Sequence, residues 1–288
     1  MAELFDVTLG FIGAGNMGEA FIGAVLRSGL LPADRVSVAD VDARRLADLH
    51  ERYAITVARD NGALFETCSV VVLAVKPQQM PAVLRDIRNC EGYRLPQRKL
   101  LISIAAGFTI RQMEQILYSA LDEEGVRNRP IIRVMPNTPA LVLSAVSGMS
   151  PNRCVTVEDA RAARIFLQAV GEVFEFEEQA LDAVTALSGS GPAYVFYLVE
   201  SMAAAGVQVG LEAGTAAAMA AATLRGAARL LEASAETPAA LRRKVTSPGG
   251  TTAAAIEVFE QKGFKAIVAA AIAAAARRAK ELSGEPRS

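Results

Sequence analysis

The chain has 288 residues, a net charge of −1 and 52% hydrophobic residues, which fits one large globular domain or, as we expect, two. That charge gives no electrostatic reason for nucleic-acid binding, and no apolar stretch reaches the roughly 18 residues of a membrane span. The residues before Thr8 include no basic region, so no signal peptide is predicted. Three scattered cysteines predict a reducing, cytoplasmic environment without a disulfide framework or a metal site.

The composition contains a single histidine, His50. A histidine-based metal cluster is therefore excluded, and so is any acid–base mechanism that needs an imidazole elsewhere in the chain. His50 lies on the helix predicted after the second strand, and we interpret it as a surface or packing residue. The chemistry that remains is carried by hydroxyl groups, backbone amides and a bound cofactor.

Short β-branched runs alternate with helical segments in the first half of the chain. Helices are predicted at 18–28 and 43–52, and strands at 7–12, 35–40, 69–75, 99–104 and 130–134. Alternating strands and helices, with strands that are apolar throughout, favour an α/β fold: a parallel, doubly wound sheet with helices on both faces. We assign a dinucleotide-binding domain to residues 1–157.

The second half is rich in alanine and mostly helical. A short strand is possible at 173–176, and helices are predicted at 158–170, 192–207, 213–234, 238–245, 252–261 and 264–282. We therefore assign an all-α domain to residues 158–288. Several of its helices are apolar on every face and need burial, which favours packing against a second subunit over high helix propensity alone.

The motif Gly13-Ala-Gly15-Asn-Met-Gly18 follows an apolar strand and opens a helix. Its first glycine permits a tight turn, its second lets the backbone approach a pyrophosphate, and its third allows the helix to pack closely on the strand. The helix N-terminus adds free N–H groups and a partial positive charge. Because the flanking elements are all predicted, the motif indicates a dinucleotide site rather than a glycine-rich turn without ligand.

Asp40 ends the second strand, where an acidic residue commonly binds the adenosine ribose of a dinucleotide. A carboxylate there favours NADH, because it would repel the 2′-phosphate of NADPH. Arg44 and Arg45 follow closely, and they either pair with such a phosphate or belong to a solvated helix face with Asp42 and Asp48. Both NADH and NADPH therefore stay open as cofactors.

Two further loops follow strand ends, which is where open α/β sheets bind ligands. Ala74-Val-Lys76-Pro77 follows the third predicted strand, and Met135-Pro-Asn137-Thr138-Pro139 follows the fifth. Proline stiffens both loops. The alternatives to a cofactor role are a plain surface lysine for Lys76 and a structural turn for Asn137 and Thr138.

Two loops in the helical half, residues 187–193 and 245–252, are rich in glycine, serine and threonine, and each opens a helix. Several backbone N–H groups should point outward from each helix start with no large side chain in the way, an arrangement that binds carboxylates. Ordinary helix capping by serine or threonine is the alternative. Two such loops in a chain with a dinucleotide fold favour an anionic substrate.

Together these segments resemble the pyrroline-5-carboxylate reductase family over nearly the whole chain. Besides the glycine motif, the resemblance depends on residues 74–78, 103–107, 133–141, 187–194 and 245–252. It implies an N-terminal Rossmann domain, an all-α dimerisation domain, and NADH- or NADPH-dependent reduction of 1-pyrroline-5-carboxylate to L-proline, the last step of proline biosynthesis. It also implies a homodimer, with five dimers forming a decamer in many members.

The resemblance assigns roles residue by residue. Thr252 would hold its hydroxyl near the ring nitrogen of the substrate and, with Ser247, forms the predicted catalytic pair. The substrate is implied to contact Ser247, Gly249, Gly250, Thr251 and Thr252. Cofactor contacts are predicted for Gly13, Gly15, Asn16, Met17, Gly18, Asp40, Ala74, Lys76, Pro77, Asn137 and Thr138, although family members vary at the position of Asp40.

This reaction suits a chain with one histidine. Hydride transfer from C4 of the dihydronicotinamide to C5 of a protonated cyclic imine needs neither an imidazole acid nor a metal. The protein has to orient two ligands, hold the carboxylate and offer a hydrogen bond to the ring nitrogen. A threonine hydroxyl is a poor acid, so we expect Thr252 to orient the substrate or to relay a proton through water.

Two other functions fit parts of the pattern. A 3-hydroxy-acid or 6-phosphogluconate-type dehydrogenase would need a catalytic lysine with asparagine one helical turn later, and no lysine of the chain has asparagine at i+4. A nucleotide-sensing protein without catalysis would bind the cofactor but lack the substrate loop, whereas the 247–252 segment is intact.

Overall fold

The computed structural model describes residues 7–284. Its contacts divide the chain into two compact units: unit 1 comprises Met1–Gly189 and Ala275–Ser288, and unit 2 comprises Ser190–Ala274. The prediction about a signal peptide falls on residues 1–6, which lie outside the described part. Within residues 7–284, no helix is both long enough and apolar enough to span a bilayer.

Unit 1 is built on one eight-stranded sheet. Its strands are β1 (Leu9–Ile12), β2 (Val36–Ala39), β3 (Thr56–Val57), β4 (Val70–Leu73), β5 (Leu100–Ser103), β6 (Ile131–Met135), β7 (Ala145–Pro151) and β8 (Gly171–Glu175). They lie in the order β3-β2-β1-β4-β5-β6-β7-β8, and β1 to β6 pair in parallel. The chain therefore winds one way from β1 to β3 and the other way from β4, which opens a crevice between the carboxyl ends of β1 and β4.

Helices cover both faces of this sheet. They are α1 (Asn16–Arg27), α2 (Ala43–Tyr53), α3 (Asn61–Thr67), α4 (Met80–Asn89), α5 (Ile110–Leu117), α6 (Glu123–Arg127), α7 (Val157–Gln168) and α8 (Leu181–Val184). Side chains of one strand alternate between two cores: Val70 and Val72 of β4 join the cluster around Phe11, and Val71 joins the cluster around Phe65. The predicted doubly wound α/β arrangement is confirmed.

The last two strands differ from the all-parallel sheet that was predicted. β7 runs antiparallel to β6, because residues 136–144 join the two strands without a crossover helix. β7, α7 and β8 then form a parallel crossover of their own. The sequence analysis missed β3 and β7 as well as α3 to α6 and α8.

The predicted domain boundary after residue 157 lies inside unit 1. Val157 is the first residue of α7, and Phe166 and Leu167 of that helix are buried in the same cluster as Phe11. β8 adds a strand to the sheet beyond the predicted border. The structural division follows Gly189 instead, so residues 158–189 are not part of an all-α unit.

Unit 2 is all-α, as predicted for most of this region. Its helices are α9 (Gly191–Gln208), α10 (Ala213–Ala233), α11 (Pro238–Lys244), α12 (Thr251–Gln261) and α13 (Phe264–Leu282), with the part of α13 from residue 275 in unit 1. A Cβ on Gly206 of α9 would lie 3.1 Å from Cβ of Ala216 in α10, so small residues bring these two helices close together. Within unit 2, the buried apolar side chains are those of Ala216 and Ala220 alone.

Candidate active site

The glycine motif forms the turn between β1 and α1, and each glycine meets a different steric requirement. Gly13 has φ +106°, and a Cβ there would lie 2.7 Å from the carbonyl of Ala74. A Cβ on Gly18 would lie 2.5 Å from the oxygen of Gly13. Gly15 is different, because nothing lies within 4 Å of the place where its Cβ would be. The first and third glycines thus permit the turn and its packing, and the second leaves open space that suits a pyrophosphate.

The turn after β2 holds this glycine loop in place. The N–H of Ala14 donates to Oδ2 of Asp40 at 2.6 Å, and Nε of Arg45 donates to the carbonyl of Ala14 at 2.8 Å. The other oxygen of Asp40 accepts the N–H of Asp42 at 2.9 Å. The Asp40 carboxylate therefore braces the loop, which is a contact that the sequence analysis did not predict.

The two arginines that follow Asp40 differ in their surroundings. Arg45 forms ion pairs with Glu19 and, at 3.2 Å, with Asp48. Burial alone would raise the pKa of Glu19, but hydrogen bonds from Arg52 and Arg45 bring it below its ordinary value. Arg44 is exposed, and no side-chain partner of its guanidinium lies among residues 7–284. Of the two arginines, Arg44 is the one available to a phosphate.

A cleft of about 820 Å³ lies beside the carboxyl ends of β2 and β3. Asp40 and Val41 line one side of it, and Arg59 to Ala63 line another. Hydrogen bonding by the N–H of Ala63 and by Arg59 keeps the pKa of Asp60 below its usual range. Because the cleft reaches Asp40, it lies where the adenosine end of a dinucleotide would extend. β3 has two exposed residues and too weak a pattern for the sequence analysis to find this wall.

Ala74, Lys76 and Pro77 follow β4, which pairs with β1 in the sheet. The N–H of Ala74 donates to the carbonyl of Ile12 at 2.8 Å, which continues the ladder one residue beyond the strand. Lys76 is exposed, and Pro77 begins a short 3₁₀ turn. The structure therefore brings Ala74 next to Gly13, as expected for two walls of one cofactor site.

Asn137 and Thr138 follow β6 and have different environments. Thr138 is exposed, whereas Asn137 is only 7% exposed. Nδ2 of Asn137 lies 3.2 Å from both the carbonyl oxygen and the hydroxyl of Ser188, and Oδ1 accepts the N–H of Val146 at 2.9 Å. The amide of Asn137 is thus engaged within unit 1. Ser188 was not among the predicted site residues, although the 187–194 segment carried part of the resemblance.

The predicted substrate loop joins α11 to α12 in unit 2. Gly249 has φ +71°, and Gly250 precedes α12 without any side-chain cap. The N–H of Gly250 donates to the carbonyl of Ser247 at 3.0 Å, and the first backbone bond of α12 runs from Ala254 to Gly250. No acceptor within residues 7–284 pairs with the N–H groups of Thr251, Thr252 and Ala253. Unpaired N–H groups at a helix start can bind an anion.

The side chains of this loop leave its helix start accessible. Ser247, Gly249 and Thr251 are exposed, and Thr252 is half-buried. Neither the Ser247 hydroxyl nor the Thr252 hydroxyl has a hydrogen-bond partner in the described part of the chain. The loop can therefore combine backbone donors for a carboxylate with two free hydroxyl groups for a neighbouring atom of the same ligand.

His50 belongs to α2 and to none of the loops that carry the predicted site residues. The ring is exposed at the C-terminal part of α2, with Nδ1 2.8 Å from the carbonyl oxygen of Ile55. Its interpretation as a surface residue is confirmed. Among the described residues there is no cluster of three or more His, Cys, Asp or Glu side chains that could hold a metal ion.

Comparison with protein families gives two matches that cover different parts of the chain. Residues 178–282 match the family described as "Pyrroline-5-carboxylate reductase dimerisation". Residues 8–107 match the family described as "NADP oxidoreductase coenzyme F420-dependent". The first includes the whole of unit 2, and the second includes the glycine loop and the strands from β1 to β5.

Curated relatives are similar over almost their full length. Pyrroline-5-carboxylate reductase of Pseudomonas aeruginosa is 40% identical, covering 96% of each chain. The enzyme of the same name from Methanosarcina acetivorans is 38% identical, covering 95% of this chain and 97% of its own.

Solved structures agree with these relatives. The pyrroline-5-carboxylate reductase of Coxiella burnetii has a TM-score of 0.85 and 35% identity, covering 96% of this chain and 98% of its own. The Plasmodium falciparum pyrroline carboxylate reductase, solved with NADP bound, has a TM-score of 0.82 and 28% identity with the same coverage. The predicted dinucleotide-binding and helical dimerisation parts are confirmed by these matches.

Proposed function

The chain belongs to the pyrroline-5-carboxylate reductase family, and from that membership we propose that it reduces 1-pyrroline-5-carboxylate to L-proline, the last step of proline biosynthesis. The donor is NADPH or NADH, which supplies a hydride to C5 of the cyclic imine when it is bound. One observation carries the proposal: a chain with an open dinucleotide cradle at Gly15 also presents an uncapped helix start at Thr251. The two features fit a nucleotide pyrophosphate and a small carboxylate.

The cofactor residues would act by shape and by backbone donors. The N-terminus of α1 lies open at Gly15, so its free N–H groups would hold the pyrophosphate, with Asn16 and Met17 in the first turn and Ala74 as the opposite wall. Lys76, Pro77 and Thr138 would lie along the nicotinamide half. Asp40 would face the adenosine ribose while it braces the loop, and Arg44 would approach a 2′-phosphate.

The substrate residues would orient the imine rather than activate it through a strong acid. Backbone N–H groups at Thr251, Thr252 and Ala253 would hold the carboxylate, and Gly249 and Gly250 would keep the approach open. The hydroxyls of Thr252 and Ser247 would hydrogen-bond to the ring nitrogen or to a water beside it. Positioning of this kind lowers the barrier by fixing donor and acceptor carbons at reactive distance.

We also propose the assembly and the location of the protein. Exposed apolar side chains on α9, among them Phe196 and Tyr197, support a homodimer formed by unit 2. A decamer of five dimers is the larger assembly that we expect. The three cysteines are all free, which supports a cytoplasmic location.

The deciding experiment follows oxidation of NADPH and of NADH by absorbance, with and without 1-pyrroline-5-carboxylate. Imine-dependent oxidation with stoichiometric formation of proline is the expected result. Cofactor binding without imine-dependent oxidation would instead support the nucleotide-sensing alternative. Folded protein that neither binds nor oxidises a nicotinamide cofactor would contradict the proposal altogether.

Thr252 can be tested against its neighbour. Thr252→Ala removes the half-buried hydroxyl and should lower kcat about 10- to 100-fold, while the Kd of NADPH stays unchanged. Thr251→Ala removes an exposed hydroxyl but keeps the backbone donor, so its kcat should fall less than about threefold. Similar losses in the two variants would remove the special role given to Thr252.

A further inference from the structure

Two asparagines lie at opposite ends of the antiparallel ladder between β6 and β7. The register pairs Ile132 with Pro151 and Met135 with Gly148. If the pairing continued, Ile131 would face Asn152 at one end and Asn137 would face Val146 at the other. In each case the asparagine Oδ1 accepts the N–H of that opposite residue, at 3.2 Å for Ile131 and 2.9 Å for Val146. Each side chain therefore supplies the acceptor for a backbone N–H at its end of the ladder, and at the Asn152 end one backbone bond also persists, from the N–H of Asn152 to the carbonyl of Ile131 at 2.9 Å.

The two asparagines differ in what their amide nitrogens hold. Nδ2 of Asn152 donates to Glu114 at 2.9 Å and to the hydroxyl of Tyr118 at 2.8 Å, at the amino end of β6. Nδ2 of Asn137 lies at the carboxyl end, beside the predicted cofactor crevice, and donates to Ser188. Asn152 therefore links the sheet to α5 and the residue after it, whereas Asn137 links the sheet to the segment that contains Ser188.

The segment that Asn137 holds has an uncommon conformation. Residues Thr185–Gly189 form a π-helical turn directly before Ser190, where unit 2 begins. Such turns are rare and frequently mark functional sites. A Cβ on Gly189 would lie 2.6 Å from Cε of Met135, so the end of the turn also packs on the last residue of β6. Met135 at the end of β6 and Asn137 two residues later therefore both contact the turn where the chain leaves unit 1.

We propose that Asn137 is a positioning residue for hydride transfer, because it fixes the turn through which the chain passes from the cofactor-binding unit to the unit with the substrate loop. This inference rests on the proposed function. A displacement of about 1 Å between reacting groups can reduce a rate about 100-fold, so a loosened turn should act on kcat. The resemblance implied a cofactor contact for Asn137, but its amide is engaged by Ser188 and Val146. Cofactor affinity should therefore change little, since the glycine loop and the Asp40 brace do not involve this turn.

The test compares Asn137→Asp with Asn152→Asp. Each substitution keeps the oxygen that accepts the backbone N–H and removes the amide donor, so the two variants are chemically matched. Asn137→Asp should lower kcat about 10- to 100-fold with the Kd of NADPH changed less than about twofold. Asn152→Asp should lower the Tm and leave kcat within about threefold of the native value.

A pH profile separates positioning from a general loss of structure. Burial raises the pKa of a carboxyl group, and its protonated form can again donate to the Ser188 carbonyl. The kcat of Asn137→Asp, relative to that of the native enzyme, should therefore rise as the pH is lowered from about 8 to about 5.5. A merely destabilised variant would lose activity in that direction.

A second variant changes the last residue of the Thr185–Gly189 turn instead of Asn137. Gly189→Ala places a methyl group against the end of Met135 and leaves Asn137 unchanged. It should also lower kcat while the Kd of NADPH stays nearly constant, so it replaces Asn137→Asp in the test if that variant does not fold. Equal behaviour of the two aspartate variants, or an equal loss of kcat and NADPH affinity in Asn137→Asp, would overturn the inference. An inactive native protein would instead refute the proposed function, because the inference concerns only the ratio between variant and native kcat.

Discussion

Unit 1 buries its large apolar side chains within one chain, whereas unit 2 leaves most of its own exposed. Phe11, Phe65 and Met80 of unit 1 are at most 1% exposed. In unit 2, Phe196 is 66% exposed and Tyr197 is 71% exposed. Unit 1 therefore has an apolar core of its own, whereas the apolar side chains of unit 2 need a further surface to cover them. A second subunit is the natural cover, in agreement with the dimerisation family that spans unit 2.

The largest expected effect comes from placing a charge on the uncovered surface. Phe196→Asp should raise the dimer Kd at least about 100-fold, because a carboxylate would have to be desolvated in the interface. Sedimentation velocity over a concentration series measures it. Phe174→Asp is the matched control: Phe174 is 47% exposed on β8 of unit 1, and its replacement should leave the dimer intact. A dimer lost in the control alone would place the interface on unit 1.

The next prediction contrasts two glycines of unit 1, one expected to affect cofactor binding and the other stability. Gly15→Ala should weaken NADPH binding about 10- to 100-fold without lowering the Tm, because its Cβ meets no protein atom and would occupy the pyrophosphate position. Gly18→Ala should lower the free energy of unfolding by about 1–3 kcal/mol, since its Cβ would lie 2.5 Å from the Gly13 oxygen. Cofactor titration and urea unfolding of both variants measure the contrast. If Gly15→Ala binds NADPH normally, the pyrophosphate lies elsewhere.

A smaller effect concerns the choice between NADPH and NADH. Arg44→Ala should reduce kcat/KM about 10-fold for NADPH and leave NADH unchanged, because the exposed guanidinium has no partner within residues 7–284. Asp40→Ser removes both the charge and the brace of the glycine loop. It should therefore raise KM for NADH, and the NADPH-to-NADH ratio of kcat/KM should increase. An unchanged ratio in both variants would mean that the ribose is bound by other residues.

The sequence predicted unit 2 helices better than unit 1 strands, for a physical reason. α13 was predicted with its observed bounds, Phe264–Leu282, and α11 within one residue. Alanine-rich segments, a first-turn proline such as Pro238 and a stop such as Gly263 fix helices locally. β7 contains Ser147, Gly148 and Pro151, so its strand structure depends on pairing with β6 and β8 and left no local pattern.

The same distinction applies to the site. The steric roles of Gly13 and Gly18 follow from the turn itself and were predicted. The brace between Ala14 and Asp40 and the bond between Asn137 and Ser188 join residues far apart in the sequence. Spacing could indicate that Asp40 and Asn137 lie at strand ends. It could not indicate that their side chains would be engaged by backbone groups of other loops.

The smallest expected effect concerns the loss of stability at alkaline pH, which we attribute to a buried phenol of unit 1. Burial raises the pKa of the Tyr118 phenol well above its ordinary value of 10.0. The folded chain therefore keeps the phenol proton at a pH where the unfolded chain releases it. The stabilisation is complete below about pH 10 and is lost as the pH rises above that value. Tyr118→Phe should make the free energy of unfolding less dependent on pH in this range.

The same variant has a cost at neutral pH. The Tyr118 hydroxyl donates to the carbonyl of Arg129 at 2.6 Å, so its removal should lower the free energy of unfolding by about 1 kcal/mol near pH 7. Urea unfolding at about pH 7 and about pH 10.5 measures both changes. Tyr197→Phe, on the exposed surface of unit 2, should leave the pH dependence as it is. If the two variants change the alkaline slope equally, the sensitivity does not arise from the buried phenol of unit 1.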